Sequence, residues 1–205
     1  MTLSVQQALE QRNATNHFDS ARPVTDAQLQ ELLRLATLAP SAYNLQNWSF
    51  IAVRSATAKE QLKAAAYQQA KVTEAPLTLI VCGTLQAHRT LAARLQPSID
   101  AKLLPTSVVE SWVAMANGSH EGNAQLQRDE AFRSASLAAM ALMLAAQSVG
   151  LSTGPMSGFD PAAVAQAFSL SPNEVPVMLI TLGYAAPGNW AQKPREAVST
   201  VLRTV

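Results

Sequence analysis

Nine consecutive residues of this 205-residue chain concentrate side chains that can form hydrogen bonds. A hydroxyl, a phenol, three carboxamides and an indole N–H occur in the order Pro40-Ser41-Ala42-Tyr43-Asn44-Leu45-Gln46-Asn47-Trp48. A plain turn needs far fewer of these groups, so their density indicates a functional role. The alternative is a polar loop whose Asn and Ser side chains satisfy their own backbone.

Two predicted elements flank this stretch. Thr25 and Gln28 can form a capping box. Apolar side chains then recur on one helical face, at Leu29, Leu32, Leu33 and Ala36. Pro40 ends this predicted helix. On the other side, residues 49–53 are short, apolar and partly β-branched, which predicts a strand buried in a sheet.

The stretch resembles the hallmark of the FMN-dependent nitroreductase family, Pro-Ser-x-x-Asn-x-Gln-Pro-Trp-x-Phe, with Asn47 in place of the usual proline. The resemblance implies that three residues of the stretch contact the flavin, namely Ser41, Asn44 and Gln46. It also implies that Tyr43 faces the substrate.

A second resemblance to this family follows the predicted N-terminal helix, residues 3–11, where the family has Arg-x-Ser-x-Arg/Lys-x-Phe. It implies that Arg12 binds the flavin phosphate, because a guanidinium matches phosphate geometry and keeps its charge. It places Asn13, Ala14 and Asn16 in the same cofactor-binding segment. Ala14 lacks the usual hydroxyl donor and Asn16 replaces the usual cation. The alternative is that Arg12 is an ordinary surface arginine.

An amide and a lysine precede the next predicted strand, residues 77–82. Residues 58–70 are rich in good helix formers, and Pro76 can open the strand because a first position sacrifices no central ladder bond. The resemblance implies that Gln68 and Lys71 reach the pyrimidine edge of the flavin. The alternative for Lys71 is a solvated side chain at a helix end.

Residues 86–127 contain helix-breaking prolines and a Gly-Ser-His-Glu-Gly turn. In the family, the helices of this region cover the flavin and select the substrate. The resemblance therefore implies that Trp112 contacts the substrate. The alternative is a tryptophan in the core or in a dimer interface.

Residues 150–160 read Gly-Leu-Ser-Thr-Gly-Pro-Met-Ser-Gly-Phe-Asp, close to the family's Gly-Leu-Gly-Thr-x-Pro-Met-x-Gly-Phe-Asp. We expect Gly154 and Gly158 to let the backbone approach a planar ligand. The resemblance implies that the N–H groups of Ser157 and Gly158 point at flavin N5 and O4. The cofactor-binding residues assigned here are Pro155, Met156, Ser157 and Gly158. The alternative is a helix-to-helix connection with an N-cap at Asp160.

The resemblance extends to a Lys-x-Arg pair near the C-terminus. It implies that Lys193 and Arg195 bind the flavin phosphate together with Arg12. Residues 175–182 are predicted to form a third strand. The tail, residues 198–205, has strand character and by resemblance adds to the partner subunit's sheet.

Residues 129–149 are predicted to form the longest helix. Its ten-residue apolar run is well short of the ~20 residues that span a bilayer, so we expect a buried helix. Its many small side chains suit a dimer core. Charged residues make up only 14% of the chain, against roughly 25% in average soluble domains, which also favours a homo-oligomer.

Composition excludes several classes of function. The net charge of +1 comes without a basic run, so neither nucleic acid nor membrane is an expected partner. Cys82 is the only cysteine and the three histidines are scattered, so no metal site is expected. Residues 1–10 show no export signal, which predicts a cytoplasmic protein. Dinucleotide-binding and Walker motifs are absent, and Ser157 lies one place too late for a nucleophile elbow.

The sequence thus predicts one domain, residues 1–205, with an α+β nitroreductase-like fold: a central mixed or antiparallel sheet flanked by helices, in an intertwined homodimer. The resemblance implies ping-pong transfer of hydride from NADH or NADPH through FMN to nitroaromatics, quinones or related conjugated acceptors. No catalytic side chain is then required. Two alternatives are a flavin-binding protein without turnover and a specialised relative that reduces one aldehyde or halogenated substrate.

Overall fold

A four-stranded antiparallel sheet forms the centre of the computed structural model, which describes residues 3–205. In spatial order the strands are β1 (Trp48–Val53), β2 (Leu77–Thr84), β4 (Glu174–Gly183) and β3 (Ser152–Met156). One row of paired residues crosses the whole sheet, from Ile51 through Ile80 and Leu179 to Met156. The predicted α+β class and central sheet are confirmed, and the sheet is antiparallel throughout.

Helices cover the sheet and form one excursion from it. They are α1 (Val5–Gln11), α2 (Asp26–Ala36), α3 (Ala56–Ala65), α4 (Lys71–Glu74), α5 (Leu91–Asp100), α6 (Thr106–His120), α7 (Ala124–Ser148), α8 (Pro161–Ala167) and α9 (Val198–Val201). The capping box predicted at the start of α2 is confirmed, since Thr25 Oγ1 accepts from Gln28 N at 3.1 Å.

One face of the sheet packs against α7 and α2. Small side chains of α7 are buried there, among them Ala131, Ala135 and Ala139. The approach is close, because a Cβ on Gly83 of β2 would come within 2.6 Å of the Ala131 carbonyl oxygen. The alanine-rich sequence of α7 is therefore explained by helix-to-sheet packing within one chain.

The opposite face packs against α3 and α8. Leu62 of α3 and Val164 of α8 are fully buried there, together with Ile80, Cys82 and Leu179 of the sheet. Burial raises the pKa of the Cys82 thiol to about 12, so this cysteine is an inert core residue. The sheet is thus enclosed between two helical layers.

A separate apolar cluster forms under α5 and α6, away from the sheet. Leu91, Leu95 and Val109 are buried in it, and Leu45 enters it from the polar stretch that precedes β1. The helical excursion and that polar stretch are therefore packed as one unit.

Four predictions about the elements are wrong. β1 is an edge strand whose residues are half-buried or exposed except Val53, so it is not a buried strand. β3 occupies residues 152–156, where no strand was predicted. The tail contains the short helix α9 rather than a strand. The helix predicted over residues 58–70 ends at Ala65.

The long helix α7 begins five residues earlier than predicted. Within residues 3–205, none of the helices combines the length and the apolar character needed to cross a membrane.

Candidate functional site

The loop after α1 is tied to the C-terminal part of the chain. Gln192 Nε2 donates to the carbonyl oxygens of Leu9 and Arg12 at 2.9 and 2.8 Å. Asn13 Nδ2 donates to the carbonyl oxygen of Trp190 at 2.9 Å. These bonds join segments about 180 residues apart in sequence, and they bring the predicted cations of both segments together.

Asn189 secures the next part of the same loop. Its Oδ1 accepts from the backbone N–H groups of Asn16 at 2.7 Å and His17 at 3.0 Å. Its Nδ2 donates to the carbonyl oxygens of His17 and Ala186, both at 2.8 Å. One carboxamide therefore satisfies four backbone groups and fixes the path of residues 16–17.

Arg12, Lys193 and Arg195 line one small cavity of about 90 Å³, which we call the cation cavity. Asn13 and Ala14 complete its wall on the N-terminal side. Lys193 and Arg195 are exposed and Arg12 is half-buried. The wall contains three cations and no carboxylate, so it has the composition of a phosphate site.

Lys71 and Asn16 line a second cavity of about 230 Å³, which we call the Lys71 pocket. Lys71 Nζ donates to Asn16 Oδ1 at 3.4 Å. Burial lowers the pKa of the Lys71 ammonium, which indicates that its charge is only partly solvated. The predicted neighbours Asn16 and Lys71 are thus brought together at the start of α4.

Gln69, rather than Gln68, lines the Lys71 pocket. Tyr67 and Gln68 have positive φ angles of 52° and 60°, and this reversal of the chain leaves Gln68 exposed. Gln69 Nε2 donates to the carbonyl oxygen of Gly158 at 2.7 Å. The assignment of Gln68 to the cofactor stays a prediction, and the contact with the turn after β3 belongs to Gln69.

The turn after β3 presents Ser157 and Gly158 at the surface, whereas the side chain of Met156 is buried in the core. Gly154 is needed for packing: a Cβ there would collide with the Thr15 carbonyl oxygen. This close approach places the loop after α1 beside β3, where Thr15 N donates to the Thr153 carbonyl oxygen at 3.0 Å. The absence of a side chain at Gly154 is therefore explained by a contact between two segments of the same chain, and the approach of this backbone to a ligand stays a prediction.

Residues 41–46, which we call the 41–46 turn, have a strained backbone. Tyr43, Asn44 and Gln46 have positive φ angles of 52°, 59° and 46°, a region that residues other than glycine rarely adopt. Ser41 Oγ accepts from Gln46 N at 2.9 Å. Half-buried Trp112 packs edge-on against Tyr43, with ring centroids 6.4 Å apart.

Asn47, which stands where the family has proline, is a core residue. It is only 2% exposed, and its Oδ1 has no hydrogen-bond partner among the described residues. Its carbonyl oxygen accepts from Thr84 N at 2.9 Å, next to the β1–β2 pairing. The departure from the family pattern at this position therefore falls on a buried residue.

The structure separates the predicted site residues into two groups. The 41–46 turn precedes β1 at one edge of the sheet, while Ser157 and Gly158 follow β3 at the other edge. Three strand spacings separate these edges, roughly 14 Å. The cation cavity and the Lys71 pocket belong to the β3 side, because residues 12–16 run along β3.

Sequence reasoning missed Gln69, Asn189, Gln192 and an arginine of α5, Arg94. Arg94 Nη1 donates to the carbonyl oxygens of Leu45 and Gln46. No local pattern marks any of these residues. Their partners lie far away in sequence, so only the folded chain shows their role.

Comparison with known proteins finds relatives of this chain by sequence and by fold. The profile of the Nitroreductase family matches residues 9–184. YodC of Bacillus subtilis, named as a candidate NAD(P)H nitroreductase, is 34% identical over 196 residues, which cover 95% of this chain and 96% of YodC. The crystal structure of YdfN from the same organism, a candidate nitroreductase, is 32% identical, covers 98% of both chains and has a TM-score of 0.91.

A candidate nitroreductase of Exiguobacterium sibiricum, solved in complex with FMN, has the same fold. Its TM-score is 0.91 at 24% identity, and the match covers all of both chains.

Proposed function

The chain belongs to the Nitroreductase family, as its sequence predicted, and we propose that it is an FMN-dependent oxidoreductase. It takes electrons from NADH or NADPH and passes them to nitroaromatics, quinones or related conjugated acceptors. The names of the relatives support the nicotinamide donor, and the FMN complex of a protein with the same fold supports the cofactor. A cytoplasmic location stays a prediction.

The observation that carries the proposal is the course of residues 12–16. At one end, Arg12 lines the cation cavity with Lys193 and Arg195. At the other end, Asn16 lines the Lys71 pocket. A ligand with a phosphate at one end and a polar ring edge at the other fits this order of groups. FMN is such a ligand, whereas riboflavin lacks the phosphate.

The residues of the chain would bind and orient the cofactor. The three cations of the cation cavity neutralise the phosphate dianion, and Lys71 with Asn16 contacts the pyrimidine edge. Ser157 and Gly158 are exposed, and their backbone N–H groups would contact the ring on the β3 side. Bound FMN would supply the hydride chemistry, and the protein would supply orientation and electrostatics.

A homodimer completes the site. The 41–46 turn lies at the edge of the sheet opposite the two cavities, so one chain does not bring all predicted flavin contacts to one place. A partner subunit can supply this turn. We therefore propose that each flavin is bound by the cavities of one subunit and by Ser41, Asn44 and Gln46 of the other, whose Tyr43 and Trp112 face the substrate.

Exposed apolar surface supports the dimer. A groove of about 360 Å³ between α1, α2 and α7 is lined by Leu3, Val5, Leu35, Ala141 and Leu144. Val5 is 70% exposed in the single chain. In the tail, Val198, Val201 and Leu202 are exposed as well. We infer that a partner subunit covers these exposed apolar side chains.

Binding of FMN and riboflavin tests the proposal. We expect the wild-type protein to bind FMN more tightly than riboflavin. Arg12→Ala should weaken FMN binding by about 1.5–3 kcal/mol, the usual contribution of a hydrogen bond to a charged group, and leave riboflavin binding unchanged. Arg34→Ala, at an exposed arginine paired with Glu31, is the control. Equal affinity for FMN and riboflavin in the wild type would refute the phosphate assignment.

A further inference from the structure

The 41–46 turn holds a conformation that its own sequence does not favour. Tyr43, Asn44 and Gln46 all have positive φ angles, and such backbone conformations persist only where the surroundings enforce them. Local bonds contribute, since Leu45 N donates to the Ala42 carbonyl oxygen at 2.8 Å and Gln46 N donates to Ser41 Oγ. These bonds leave the carbonyl groups at the end of the turn without a partner inside the turn.

Arg94 of α5 supplies that partner. Its Nη1 donates to the carbonyl oxygens of two consecutive residues, Leu45 and Gln46, the latter at 2.6 Å. Both bonds come from one nitrogen, whose two N–H groups can each donate to one carbonyl oxygen. The contact also links α5, part of the helical excursion, to the turn.

The charged guanidinium of Arg94 donates its hydrogen bonds to these two carbonyl groups. The side chain is half-buried, and none of the ion pairs found in residues 3–205 includes it. Burial lowers the pKa of this guanidinium, although an arginine stays charged. Arg89, at the start of the same helical unit, is by contrast an exposed arginine that pairs with Glu121 at 2.6 Å.

We propose that Arg94 is a positioning residue that holds the 41–46 turn in its flavin-binding conformation. It acts through the backbone carbonyl groups of Leu45 and Gln46, and so orients the side chains of Ser41, Asn44 and Gln46. This role rests on the proposed function only in its last step, the binding of FMN. The hydrogen bonds by which Arg94 holds the turn do not depend on any ligand.

Hydrogen exchange of the flavin-free protein tests that hold directly. In the apoprotein, Arg94→Met should speed the exchange of the amides of Asn44, Leu45 and Gln46 by about tenfold or more, because a hydrogen bond to a charged group is lost. Arg89→Met is the matched control and should leave these three amides unchanged. Unchanged exchange in Arg94→Met would overturn the inference.

Arg94→Lys provides a second test and remains informative if Arg94→Met does not fold. An ammonium keeps the charge and can still donate, but Nζ of lysine reaches one bond less far than Nη1 of arginine and is more strongly hydrated. We expect exchange rates between those of the wild type and Arg94→Met, and clearly above the wild type. Exchange at the turn identical to the wild type would again overturn the inference.

FMN binding by the same variants separates positioning from general stability. We expect the dissociation constant for FMN to rise about tenfold or more in Arg94→Met, to lie between the wild-type and Arg94→Met values in Arg94→Lys, and to be unchanged in Arg89→Met. A lower melting temperature with unchanged FMN affinity would reduce Arg94 to a structural residue and refute the proposal. A wild-type protein that bound no FMN would refute the proposed function instead, and the exchange result would still decide the hold of Arg94 on the turn.

Discussion

Lys71 is a half-buried cation on the wall of a pocket that it shares with Asn16. Its ammonium lies 3.4 Å from Asn16 Oδ1. Asn16 occupies the sequence position at which the family usually has a second cation. Reduced flavin gathers negative charge at the pyrimidine edge. With one ammonium at this place, we expect the stability of the reduced cofactor to depend strongly on Lys71.

Replacement of Lys71 should therefore change the flavin's two-electron reduction potential. Lys71→Met should lower it by roughly 30 mV for each 1.4 kcal/mol of lost stabilisation of the reduced form. Asn16→Lys should raise it, because it adds a cation beside the first. Equilibration against a reference dye without oxygen measures both shifts.

Lys63→Met is the control for this experiment, because Lys63 lies on α3 and pairs with Glu60 at 3.7 Å. It should leave the potential unchanged. If neither Lys71→Met nor Asn16→Lys moved the potential, the Lys71 pocket would not face the pyrimidine edge.

The sequence was sufficient to predict which cations share a site, but not what holds them there. Arg12, Lys193 and Arg195 were predicted together and line one cavity. Asn189 and Gln192 were not predicted, because their bonds reach residues more than 170 positions away. Gln68 was assigned by resemblance, and the reversal of the backbone at Tyr67, which brings Gln69 to the pocket, cannot be recognised from spacing.

At the scale of elements, β3 positions the loop after α1, which carries the proposed cofactor contacts Arg12 to Ala14 and Asn16. Gly154 lies opposite Thr181 in the β3–β4 pairing and against the Thr15 backbone. Gly154→Ala should therefore destabilise the fold by about 1–3 kcal/mol, the usual cost of overpacking. Denaturant unfolding measures this change in the free energy of unfolding.

Gly118→Ala is the matched control, since nothing lies within 4 Å of a Cβ at that position. Because Gly118 lies inside α6, alanine should stabilise the protein by about 0.5–1 kcal/mol. A neutral Gly154→Ala substitution would show that the loop after α1 does not pack on β3 as described.

The end of α6 contains an acid-sensitive contact. Hydrogen bonds from Arg89 and His88 lower the pKa of the Glu121 carboxyl from 4.5 to about 2. This contact stabilises the fold fully above pH 4.5 and the stabilisation is lost as the pH falls towards 2. Glu121→Gln should therefore show a smaller drop in melting temperature between pH 6 and pH 3 than the wild type.

Glu110→Gln is the control for this pH dependence. Glu110 is exposed on the same helix and takes part in none of the ion pairs found in residues 3–205. The drop in melting temperature between pH 6 and pH 3 should be the same in Glu110→Gln as in the wild type. A Glu121→Gln variant with the same acid response as the wild type would contradict the assigned contact.

Elements with a strong apolar pattern were predicted from the sequence, whereas an element that contains residues typical of turns was missed. The capped, amphipathic α2 and the apolar strands β2 and β4 were predicted near their observed bounds. β3 was missed because its five residues include Gly154 and Pro155, which are typical of loops. Pro155 is tolerated there because β3 is an edge strand.

At the scale of the whole molecule, the apolar groove and the division of the site into two groups of residues both favour the proposed homodimer. Ala141 lines the groove and is half-buried in the single chain. A monomer would accept an aspartate there, whereas a dimer interface would bury an unpaired charge. Ala141→Asp should therefore yield monomeric protein that binds no FMN, or protein that does not fold.

Ala64→Asp is the control, because Ala64 is an exposed residue of α3. It should remain dimeric and bind FMN, as sedimentation and absorbance can show together. A flavin-loaded monomer, in the wild type or in Ala141→Asp, would exclude a site built from two chains.

The most direct test of the central claim is an anaerobic titration of the FMN-loaded protein with NADH and, separately, NADPH. The account predicts that at least one donor bleaches the visible flavin band at about one equivalent per flavin, and that the quinone menadione restores the band. A bound flavin that neither donor reduces would contradict the assignment of this protein as an NAD(P)H oxidoreductase.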